Sequence, residues 1–74
     1  MIFYATCGIK HRHILENGKT WDKNGLIQIE AKNRDEAQDF LYEEFGQAWS
    51  DFYSTDLEVI EVHFPNGVVA EYKA

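Results

Sequence analysis

Cys7, His11 and His13 stand close together near the start of the chain, and thiolate and imidazole are the ligand types zinc prefers. A structural zinc site needs four ligands, normally as two closely spaced pairs. Here a fourth would have to come from His63 or a carboxylate. A packed thiol and two loop histidines is the plainer reading, so neither a metal nor any other cofactor is expected. Cys7 and His11 could also form a nucleophile and its base, with Lys10 and Arg12 lowering the thiol pKa. The sequence shows no third group to orient that base, no glycine-rich phosphate loop and no paired acid and base. Binding is therefore expected rather than catalysis, and no residue is assigned a catalytic role.

Two charged sets remain, and they lie apart along the chain. Residues 1–34 carry six Lys or Arg against three Asp or Glu, and residues 35–74 carry one against ten, so a net charge of −6 divides into about +3 and −9. A surface that served only solubility would mix its signs, whereas a sorted one presents a field to a charged partner. The basic set is Lys10, His11, Arg12 and His13, with Lys19, Lys23 and the intervening Trp21. It could hold the phosphates of a small ligand while Trp21 and Tyr53 stack on its base. The plainer reading is a solvated loop with Trp21 closing over the core. The acidic set is Asp35, Glu36, Asp39, Glu43, Glu44 and Asp51, and carboxylates spaced along a helix can imitate a row of phosphates. Trp49 and Tyr53, one helical turn apart beside Phe45 and Phe52, are either core or the aromatic wall of an interface. Direct nucleic-acid binding is disfavoured by the net charge, because phosphate affinity rests on basic surfaces that release counterions.

These groups must be positioned by a small body. Seventy-four residues make one domain, spanning 1–74, near the lower limit at which a core suffices without staples. The core must be dense, and 45% hydrophobic with 15% aromatic residues supplies that density. The lone Cys7 cannot form an internal disulfide. The first residues lack a basic segment followed by a long apolar run, and nothing approaches the roughly 20 apolar residues of a membrane span. A cytoplasmic protein without a membrane partner is the expectation.

Residues 2–7 read as a strand ending at Gly8. Residues 9–25, with Asn17-Gly18 and Asp22-Lys23-Asn24-Gly25, read as a long basic loop or an irregular hairpin arm. Residues 26–31 alternate, with Ile27, Ile29 and Ala31 on one face, as a half-buried strand does. Asn33 followed by Glu36 predicts a capped helix whose stripe is Ala37, Phe40, Leu41 and Phe45, stopping at Gly46. Ala48, Trp49, Phe52 and Tyr53 continue the helical period, so a kinked helix or a second turn is predicted over 47–53. Leu57 to Phe64 reads as a strand. Pro65-Asn66-Gly67 then closes a hairpin that pairs Phe64 with Val68, Val62 with Ala70 and Ile60 with Tyr72. The predicted architecture is a two-layer α+β domain of ββαββ order, with one main helix on a four-stranded, largely antiparallel sheet and a C-terminal β-hairpin.

Tyr4-Ala5-Thr6-Cys7-Gly8 with His11, then Ile27-x-Ile29-x-Ala31, Glu36-Ala37 and Phe45-Gly46-x-x-Trp49-x-x-x-Tyr53, resembles a group of small phage and prophage proteins. The likeness covers residues 3–53. Cys7 stands where the group usually has an aromatic, and the chain after residue 56 is not part of the pattern. The group has no settled biochemical role, so the resemblance implies a setting: small phage proteins frequently act on host machinery or antiviral defence. Setting and charge together predict a non-enzymatic accessory protein in the cytoplasm of an infected host cell. It would bind, and inhibit, a host or defence protein with a basic groove through Asp35, Asp39, Glu43, Glu44, Trp49 and Asp51. The alternatives are a binder of a small phosphorylated, nucleotide-like ligand through Lys10, His11, Arg12, His13, Trp21 and Tyr53, and a phage structural or assembly protein.

Overall fold

The computed structural model describes all 74 residues. Strand β1 (Ile2–Thr6) leads through a hairpin arm to β4 (Leu26–Glu30), helix α1 (Arg34–Phe45) follows, and β5 (Asp51–Tyr53) returns to the sheet. A short helix, α2 (Leu57–Ile60), runs into a 3-10 turn at Glu61–His63, and β6 (Val68–Lys73) ends the fold. The arm itself carries β2 (His13–Ile14) and β3 (Thr20–Trp21), paired antiparallel as a separate ribbon. The fold is thus a small α+β domain on a four-stranded sheet of order β5-β1-β4-β6.

Local chemistry explains the elements that match expectation. Ile27 and Ile29 of β4, with Ala31 just beyond it, are buried on one face, and Phe3 and Ala5 of β1, with Cys7 just beyond it, join them. Ala37 and Leu41 of α1 close over that face, with Phe40 and Phe45 packed at the margin. The helix begins as its cap residues require: the Glu36 N–H donates to the Asn33 side chain at 2.9 Å. The Glu36 carboxylate reaches back to the Lys32 N–H at 3.1 Å, one residue before the usual partner in a capping box. Gly46 ends the helix with φ 62°, its N–H donating to the Tyr42 carbonyl. In the arm, the Leu15 N–H donates to the Lys19 carbonyl and the Gly18 N–H to the Leu15 carbonyl, both at 2.9 Å, so Asn17-Gly18 does reverse the chain.

The second half departs from expectation in three places. Residues 47–53 do not continue the helix; Asp51–Tyr53 is an edge strand antiparallel to β1, with Ala5 opposite Phe52. Phe52 is buried there and Asp51 and Tyr53 are exposed, a two-residue alternation that the aromatic spacing had concealed. Residues 57–64 are not a strand. Leu57, Ile60 and Phe64 recur at three and four residues and pack on Tyr4 and Leu26, the other face of the sheet, while Val59 and Val62 remain 64% and 73% exposed. Covering that second face outweighs the strand preference of the β-branched residues.

The C-terminal hairpin is absent for the same reason. Pro65-Asn66-Gly67 does form a turn, with the Gly67 N–H donating to the Phe64 carbonyl at 2.9 Å and Gly67 at φ 62°. The turn links the 3-10 segment to β6, and β6 pairs parallel with β4, setting Gln28 beside Glu71 and Ile29 beside Tyr72. The sheet is therefore mixed rather than largely antiparallel, and the order ββαββ gives way to a strand after α1, a helix, and then a crossover strand.

Candidate functional site

The acidic set is divided by its local hydrogen bonds. Asp35, Asp39 and Glu43 succeed one another at four-residue steps on α1, about 6 Å apart along the axis. All three are exposed on the side away from Ala37 and Leu41. The exposed Tyr42 lies on the same side and its ring meets Trp49 edge to face at 5.3 Å. Trp49 is half-buried, fixed by its Nε1–H donating to the Gly46 carbonyl at 2.8 Å and by an edge contact with Phe52 at 5.8 Å. Tyr42 and Trp49 thus stand beside the Glu43 end of the row.

The other carboxylates have separate surroundings. Glu36 is engaged in the helix cap, and the Asp51 carboxylate accepts the N–H of Phe52 at 2.7 Å on the edge of β5. Glu44 is exposed near the end of α1, and it and Glu16 bring negative charge to bear on the Tyr72 phenol. Burial is the larger cause of the raised Tyr72 pKa, and these two carboxylates are the next.

The basic set comes together less well. Trp21 is fully enclosed, its ring against His13 at 5.4 Å and Phe45 at 4.9 Å, so it cannot stack on a ligand. Its Nε1–H has no hydrogen-bond partner. His13 is held between these rings with Nε2 2.6 Å from the Ala48 carbonyl; the oxygen accepts, so this nitrogen carries the proton. Lys10 and His11 border a shallow recess of about 380 Å³ with Cys7, Ile9 and Trp49, and Arg12 is exposed. Tyr53 lies elsewhere, on a groove of about 740 Å³ with Arg34, Val59, Ile60, His63 and Phe64. Of the ligand-binding set Lys10, His11, Arg12, His13, Trp21 and Tyr53, the recess gathers Lys10 and His11, while Trp21 is enclosed and Tyr53 lines a different groove.

Cys7 and His11 share the recess, but the thiol is fully enclosed. Burial first, and Asp22 second, push it from 9.0 up to about 11, away from the thiolate that nucleophilic attack requires. His63 lines the groove with Arg34, and no group of three or more His, Cys, Asp or Glu is placed to hold a metal ion.

Two site features were not legible as such in the sequence. Tyr42 could have been found, because it lies off the Ala37–Leu41 stripe and close to Asp39 and Glu43. Arg34 counted with the basic half, yet its guanidinium sits 4.2 Å over the Phe52 ring, a pairing fixed only once β5 joins the sheet.

The charges do not neutralise one another. The only ion pair joins Lys73 to Glu30 at 3.5 Å between exposed side chains, and none links the arm to α1. Comparison with protein-family models, curated proteins and solved structures finds no match to this chain. No helix is long and apolar enough to cross a membrane.

Proposed function

We propose that this is a non-enzymatic, phage-type accessory protein that binds a host or defence protein and inhibits it by occupying a basic groove. The surface is the Asp35–Asp39–Glu43 row, with Tyr42 and Trp49 as its aromatic border. One observation carries the reading: three carboxylates at helical steps stand exposed with no internal cation to satisfy them. Rows of like charge on a rigid helix cost stability through mutual repulsion, and an external cationic groove relieves that cost. Electrostatic steering would then speed encounter, while the aromatic pair supplies contact area that charge alone lacks.

The test is capture of partners from host lysate by the wild-type protein and by a variant with Asp35, Asp39 and Glu43 all changed to Lys. The wild type should retain a specific partner at low salt and release it near 1 M salt, where the screening length falls to about 3 Å. The reversed variant should retain none while keeping its circular dichroism spectrum. Equal capture by both proteins excludes this surface.

A further inference from the structure

The four-stranded sheet has two free edges, and the chain treats them differently. Met1 and Ala31 exchange backbone bonds, so alternate residues of β1 face β4 and the others face β5. With Tyr4 opposite Tyr53 and Thr6 opposite Asp51, only Phe52 of β5 turns its backbone outward, and its N–H is already taken by the Asp51 carboxylate. That edge is short and plugged, as exposed edges usually are.

At β6 the Ala74 N–H donates to the Glu30 carbonyl at 2.8 Å, which turns Tyr72 towards β4 and turns Glu71 and Lys73 outward. Neither residue's backbone takes part in any turn, loop or cap bond. Upstream the same strand is covered, because the Asn17 side-chain amide donates to the Val69 carbonyl at 2.9 Å. What remains is a short stretch whose N–H and C=O groups point to solvent, a template for an added strand.

Both faces beside this stretch are acidic. On the outer face Glu71 and Glu30 border a recess of about 310 Å³ with Gln28 and Lys73, and Lys73 is engaged by Glu30. On the helix face Glu16 and Glu44 lie near enough to Tyr72 to act on its phenol. A second copy of this chain is poorly suited to the edge. Each copy carries −6, and pairing about Tyr72 would bring both sets of Glu16 and Glu44 together.

We infer that the Glu71–Lys73 edge of β6 accepts an extended basic segment of another protein as a fifth strand of the sheet. Successive side chains of an added strand point to opposite faces. Adjacent basic residues would therefore reach Glu71 on one side and Glu16 and Glu44 on the other. This surface is separate from the α1 row, so the inference stands or falls independently of the proposed function.

The test uses the isotope-labelled full chain and a blocked peptide of sequence Thr-Val-Lys-Arg-Val-Thr, read by amide chemical shifts and hydrogen exchange. Exchange at the Glu71 and Lys73 amides should slow about tenfold on binding, with shifts confined to β6, Glu16 and Glu44. N-methylation of every second peptide residue should abolish binding in one phase and spare it in the other, because only alternate amides face the sheet. Glu71→Lys should weaken binding about tenfold with the core amides unmoved. Unchanged exchange at Glu71 and Lys73, equal binding of a peptide with Glu in place of Lys and Arg, or shifts on Asp35–Glu43 instead would each overturn the inference. So would protection of these two amides by self-association of the free protein.

Discussion

Cys7 is fully enclosed, and loss of hydration, with Asp22 nearby, lifts its thiol from 9.0 to about 11. A folded-state pKa raised above the unfolded value contributes stability that is complete below pH 9 and is lost as pH rises through 11. The urea midpoint should therefore fall across that window, with about 2–3 kcal/mol traceable to this residue, and Cys7→Ala should flatten the decline. The Tyr53 and Tyr72 phenols, raised chiefly by burial, extend the loss above pH 10. Gly8 illustrates a steric constraint at the next position. Its φ is +78° and a Cβ there would approach the Ser50 Cβ at 2.9 Å, so Gly8→Ala should destabilise by about 1–3 kcal/mol in denaturant melts. The Gly at this strand end was legible in the sequence, but its neighbour Ser50 was not, because only the docking of β5 brings residue 50 beside it. Trp21 shows the same limit: a Trp among lysines reads more plainly as a core plug than as a ligand platform, and the enclosure by His13 and Phe45 bears out the plug.

At the scale of elements, α1 is specified locally from end to end. Asn33→Ala removes the side-chain acceptor for the Glu36 N–H and should cost about 1 kcal/mol of unfolding free energy. The segment Leu57–His63 is specified only by what it covers. Ile60→Ala should cost about 2–4 kcal/mol because it uncovers Tyr4 and Leu26, whereas Val62→Ala on the exposed side should change stability by less than about 0.5 kcal/mol. Equal losses at both positions would instead fit a strand with both residues on the buried face. The sequence supported either reading, since Leu57, Ile60 and Phe64 keep a helical period while Ile60, Val62 and Phe64 keep a strand period. Pro65-Asn66-Gly67 was legible as a turn, but turn chemistry does not name what lies before it.

For the whole molecule, folding pairs few of the charges that the sequence sorts. One exposed ion pair between β4 and β6 leaves the arm's cations and the α1 carboxylates unpaired. Raising the salt concentration should therefore steady the isolated protein against urea while weakening the proposed complex, since screening relieves internal repulsion and partner attraction alike. The amino-acid order by itself determined the apolar stripes of the first two sheet strands and of the helix, the capped helix with its acidic outer row, and the sorting of charge. All of these rest on contacts between near neighbours or on simple periodicity. Only the tertiary structure decided that His13 packs against Trp21 and Phe45, that Glu16 and Glu44 both act on Tyr72, and that β6 lies parallel to β4 with Glu71 and Lys73 facing solvent. Those outcomes depend on which surface each segment must cover once the others are in place. That competition between distant apolar faces leaves no mark at short range along the chain.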